Sequence, residues 1–247
     1  MLTKFKSKKI TSLGLGIILN FLAFPVLTLP PQDIAHQAKK ITVKITGSDL
    51  EQSGVLLSQD ENQYWVLTCT PKQKSAFNKA QIITSDNQSH NILSNQIIEL
   101  EQFPVTLIPV KVERSYETAI LGDSNVIQQG ERVYLAGFIQ PSRNPEEKLP
   151  QFFFTDGIIS SVVERLKSSS FTYTNQIYPG MEGNPIFNDQ GALIGLYCQN
   201  YPIANRQKKD IQLNWGIPIY LLTELAQQKG LTFGFSPFGS PPPSFEP

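Results

Sequence analysis

The chain has 247 residues, 21 basic side chains balanced by 21 acidic ones, two histidines and two cysteines. So little imidazole and thiol excludes a zinc ribbon or a multi-histidine centre, and neither a metal nor a cofactor is expected. Balanced charge with no long run of one sign gives no field to gather nucleic acid, and the length buries a core without needing disulfide staples.

In chain order, Lys4, Lys6, Lys8 and Lys9 precede an apolar stretch from Ile10 to Leu29, and the first thirty residues contain no acid. That is the layout of a secretory signal. Removing it leaves 17 basic against 21 acidic residues, a formal charge of −4. Gly14, Gly16, Asn20 and Pro25 interrupt the apolar run, which falls short of the ~20 residues a spanning helix needs. Ala23, preceded by Phe21, is a poor small-x-small cleavage site. Residues 1–30 are therefore read as a signal peptide or an N-terminal anchor. The protein is expected to be exported to the periplasm, the exterior or another non-cytoplasmic compartment, with membrane contact only if the segment stays attached.

Residues 31–232 read as short strands separated by turn chemistry. TVKIT from Thr42, YWVLTC from Tyr64, AQIITS from Ala80, VTLIPVKV from Val105, ERVYLAGF from Glu131, FFFTDGIISSVV from Phe152, FTYTN from Phe171 and ALIGLY from Ala192 are rich in β-branched and aromatic residues. Strands at this spacing, without long helices between them, indicate an all-β barrel or sandwich. Helices are expected only at the ends, around Ile34 to Lys40 and over residues 218–229, where Pro218 starts the helix and Gly230 stops it. Residues 233–247 hold five prolines and no periodicity, the composition of a disordered tail.

Five words then occur in a telling order: FPVTLIP from Phe103, GDSNVIQQGERVYLAGF from Gly122, TDGIISS from Thr155, TNQIYPGMEGNPIFNDQGALIGLY from Thr174, and NWGIPI from Asn214. Together they resemble the trypsin-like, chymotrypsin-fold serine peptidases, most closely the short bacterial branch. The resemblance implies two antiparallel β-barrels, over about 38–122 and 126–217, with a cleft between them. It also implies a serine, histidine and aspartate, since a serine hydroxyl attacks only when an oriented imidazole takes its proton. The stretch matching the histidine motif is Val66-Leu67-Thr68-Cys69-Thr70-Pro71, which puts Pro71 in the base's place. Thr106 stands for the aspartate, and Glu182 for the serine in Gly180-Met181-Glu182-Gly183-Asn184-Pro185. The oxyanion donors implied by the resemblance are the N–H groups of Gly180 and Glu182, in a loop completed by Gly183, and the Glu182 carboxylate is expected to occupy that hole or repel an anion from it.

Each position also has an ordinary reading. Thr70-Pro71-Lys72-Gln73 has the pattern of a capping box at a helix start, Thr106 suits a strand, Glu182 suits an exposed loop, and Asn184 tolerates positive φ. His36, in IAHQAKK, and His90, in a polar stretch read as a turn, fall where no base is needed. Cys69 and Cys198 map to different barrels, and two unpaired, mostly buried thiols are expected. The peptide-binding edge implied by the resemblance comprises Tyr197, Cys198 and Gln199, with the uncharged Gln176 near the base of the side-chain pocket. The leading expectation is a non-catalytic homologue that binds a peptide or protein through the cleft. A scaffold working through its outer surface, or an active endopeptidase with an atypical site, are the alternatives.

Overall fold

The computed structural model describes residues 28–60, 63–139, 152–163, 170–198 and 213–233. The leader reading over residues 1–27, Gln199 and most of the Pro-rich tail lie outside them. No helix among the described residues is long and apolar enough to cross a membrane.

Two sheets account for nearly all the regular structure. The first contains β1 (Thr42–Gly47), β2 (Leu50–Asp60), β3 (Gln63–Cys69), β4 (Gln81–Ile83), β5 (Ser89–Asn91), β6 (Ile98–Leu100) and β7 (Val105–Lys111), in the order β5-β4-β1-β2-β3-β7-β6. A bridge between Ile92 and Val110 curls it back on itself. The second contains β8 (Arg132–Phe138), β9 (Phe152–Val163), β10 (Ser170–Tyr173), β11 (Pro185–Phe187), β12 (Leu193–Tyr197) and β13 (Asn214–Pro218), closed as β10-β13-β12-β11-β8-β9. All the strand pairs within both sheets are antiparallel. The chain is thus mostly β, a closed barrel beside a curled half-barrel, consistent with a chymotrypsin-type double barrel.

Side-chain alternation explains why β3, β7 and β8 read as nearly unbroken apolar runs. In β3, Tyr64 and Val66 point into the first barrel with Val43, Ile45 and Ile108, while Trp65, Leu67 and Cys69 point the other way. In β8, Val133 and Leu135 face the interior of the second barrel, and Tyr134 and Ala136 face outward toward the first. A strand buried on both faces has no polar side to alternate with. The outward sets meet in a third apolar core between the barrels. It is completed by Ile34, Ala38 and Ile41 from α1 (Pro31–Ile41), and by Ile219, Leu222 and Ala226 from α2 (Ile219–Gln228).

Both helices fall close to their expected places. Pro218 caps α2, and Gly230, at φ +86°, follows its C-cap Lys229. The helix expected at Pro71 does not start there. A 3₁₀ turn begins only at Lys74, after Gln73, with no side-chain cap, because the Thr70 hydroxyl lies 2.7 Å from that of Thr106 instead of capping a helix.

Candidate functional site

The barrels leave an open cavity of about 620 Å³ between them. Residues 49–52, at the start of β2, form one side. Residues 69–73, where the chain leaves β3, form a second, and Pro179, Gly180 and Glu182 form a third, with Cys198 at the floor.

Pro71 and Glu182 both line this cavity. Thr106 does not: it is fully buried on β7, opposite Thr68, and reaches the wall only through its hydroxyl contact with Thr70. Behind the wall, the Thr68 hydroxyl donates to the Ser53 carbonyl at 2.6 Å, and the Gln52 amide donates to Thr68 Oγ1 and to the Cys69 carbonyl, both at 2.8 Å. A short polar network thus fixes the chain where it turns away from β3.

The Glu182 loop is clamped from both barrels. Ser53 N–H donates to the Glu182 carbonyl at 2.8 Å, and Gly183 N–H donates to the Tyr197 carbonyl at 2.9 Å. Gly183 has φ +81°, and a Cβ on it would lie 1.9 Å from the Ser53 carbonyl oxygen, so only glycine fits. The left-handed turn belongs to Gly180 and Gly183. Asn184 does not take positive φ; it is fully buried against Gly137, and neither atom of its side-chain amide has a partner among the described residues. Among those residues, no carbonyl accepts from the N–H of Gly180 or Glu182.

Cys69 and Cys198 are joined in a disulfide, their Cα atoms 5.7 Å apart, which corrects the expectation of two free thiols. The assignment to different barrels was right. What it left out is that the end of β3 and the end of β12 meet at the cleft floor, within ordinary disulfide reach.

Tyr197 sits deeper than a cleft edge requires. Its side chain is 8% exposed, packed within the second barrel. Its N–H donates to the Asn184 carbonyl, its carbonyl accepts from Gly183, and β13 flanks it through Gly216. Burial, and secondarily the Glu182 carboxylate, push its hydroxyl pKa up to about 12. Gln176 is exposed and is not among the residues of the cavity wall.

The edge that does face the cavity belongs to β2. β3 pairs with β2 only from Gly54 onward, so among the described residues, 50–52 are flanked by β1 alone. The alternation that sends Ser53 N–H across to Glu182 sends the Glu51 N–H and carbonyl to the same side. The Glu51 side chain is held away by Lys44 at 2.8 Å and by the Thr46 hydroxyl. Residues 49–52 were missed from sequence because LEQSGVLLSQD shows no alternation.

Neither of the chain's two histidines is in the cleft. His36 is exposed on α1. His90 lies on β5, not in a turn. Its Nε2 is 3.2 Å from the Tyr116 hydroxyl and 3.3 Å from that of Thr84, and burial, partly offset by Asp86, lowers its pKa.

Two antiparallel sheets rolled around separate cores, with a cleft where their loops meet, define the chymotrypsin-type architecture. The family model described as the trypsin-like peptidase domain matches residues 52–196, more than half of the chain, and the chain belongs to that family. No curated protein sequence matches it.

Proposed function

We propose that this protein is an exported, non-catalytic member of the trypsin-like peptidase family that holds an extended peptide or protein segment in the cleft between its barrels. One observation carries the reading: the cleft is open, yet both imidazoles of the chain lie elsewhere. Acyl transfer on this architecture needs a base beside the nucleophile and a carboxylate to orient that base. Pro71 and Thr106 supply neither, and Glu182, a carboxylate in the nucleophile's place, has no imidazole beside it to orient. The Glu182 carboxylate also sits at the loop where an oxyanion would have to be stabilised, and it opposes such a charge.

Binding is supported by the edge at Glu51, whose backbone N–H and carbonyl pair with no strand among the described residues and so are open to an added one. Export is supported by the lysine-led apolar leader and by the disulfide, a bond that persists in oxidising compartments.

Incubation with fluorescein-labelled casein and with a fluorophosphonate probe tests both halves. No labelling and no cleavage are expected, with casein retained as measured by anisotropy. Cleavage that survives repurification and disappears in Glu182→Ala refutes the loss of catalysis. Glu51→Pro removes the edge donor at a position where no ladder bond is lost, and is expected to weaken casein binding about tenfold or more. Equal retention by that variant rules out the cleft edge.

A further inference from the structure

The bond between Cys69 and Cys198 lies in the core between the barrels and in neither barrel's interior. Each barrel encloses a separate apolar core, and the bridged residues stand 129 positions apart, one in each half. Its place is at the cleft floor. Cys69 leads directly into Thr70 and Pro71 on one wall. Cys198 follows Tyr197, whose carbonyl holds Gly183 and with it the Glu182 loop on the opposite wall. The bridge therefore fixes the separation of the two walls from below. Across the same floor, a backbone hydrogen bond from Ser53 to Glu182 also links the barrels directly.

We propose that the disulfide is a redox-responsive clamp on the cleft: reduction by a dithiol releases the two walls and changes the hold on a bound peptide. The identity of the ligand rests on the peptide-binding reading; the clamp does not. Both cysteines are nearly buried, at 5% and 2% exposure, yet both line the cavity, so the cavity is the route by which an external thiolate reaches sulfur. That thiolate attacks one Sγ, forming a mixed disulfide while the other cysteine leaves as a thiolate and takes up a proton. The second thiol of the reductant then attacks the mixed disulfide and departs as the cyclic oxidised form, and two electrons have passed to Cys69 and Cys198. A segment lying in the cleft blocks the first attack, and by linkage whatever reduction does to ligand affinity, the ligand does equally to the ease of reduction.

The test uses the full chain, oxidised or treated with dithiothreitol, and follows amide exchange over times at which Leu107 and Leu135 stay protected. Reduction is expected to raise exchange at Ser53, Thr70 and Gly183, the hydrogen-bonded amides around the floor, about tenfold, and to shift casein affinity ~5-fold or more. A Cys69→Ala/Cys198→Ala variant is expected to behave as the reduced protein does. The proposal is overturned if these amides exchange equally in both states, if Leu107 and Leu135 of the reduced protein exchange over the same times as they do, or if alkylation finds no native thiols after reduction. Casein bound in neither state counts against the peptide-binding reading and leaves the exchange result to decide the clamp.

Discussion

Glu182, on the cleft wall, acts on the titration of Tyr197, which is packed in the barrel behind it. A carboxylate beside a buried phenol disfavours the phenolate, and burial disfavours it more, so the Tyr197 proton is held to about pH 12 instead of the ordinary 10. The native state therefore binds that proton more tightly than the unfolded chain does. The resulting stabilisation is complete below pH 10 and is lost as pH rises toward about 12. In Glu182→Gln, the Tyr197 pKa is expected to fall only part of the way back, since burial is the larger cause, and the alkaline loss of stability shrinks with it. Titration of ring-labelled tyrosine by NMR measures this; an unchanged Tyr197 pKa would show that the carboxylate is not a source of the shift.

At the scale of elements, the two short helices weld the barrels together. α1 places Ile34, Ala38 and Ile41, each about 1% exposed, into the core between the barrels. Ile34→Ala leaves a hole there and is expected to cost about 2–4 kcal/mol in urea unfolding; a loss under about 1 kcal/mol would mean that α1 only lies on the surface. This element was legible in sequence because Ile34, Ala38 and Ile41 follow helical spacing. β2 was not, although it is among the longest strands and supplies the cleft edge. Its Gln52 and Ser53 point polar groups inward to bind Thr68, Cys69 and Phe138 across elements, and a register shift between Leu56 and Ser58 breaks the period. Tertiary hydrogen bonding replaced the alternation from which a strand is read. No glycine flanks Pro71, which was placed only by the strand before it, whereas Gly180 and Gly183 made the loop around Glu182 legible as a turn. The disulfide was not, since two cysteines 129 residues apart announce their meeting only once both strands are placed.

For the whole molecule, two couplings outweigh the hydrogen bonds that Ser53 makes to Glu182 and Phe138: the apolar core between the barrels and the single cystine. By chain entropy, closing a loop of 129 residues stabilises the fold by about 5 kcal/mol. For a domain near 200 residues, each kcal/mol moves the thermal midpoint about 2–4 °C, so reduction is expected to lower it by about 10–20 °C. The number of transitions separates the two couplings. The inter-barrel core draws buried residues from both sheets and both helices, so neither barrel unfolds without exposing apolar surface of the other. A single cooperative transition is therefore expected in calorimetry before and after reduction. Two resolved transitions after reduction would assign the coupling to the cystine, and a midpoint that does not move would show that a folded-state cost of the bridge, or residual order in the unfolded chain, cancels the loop-closure gain.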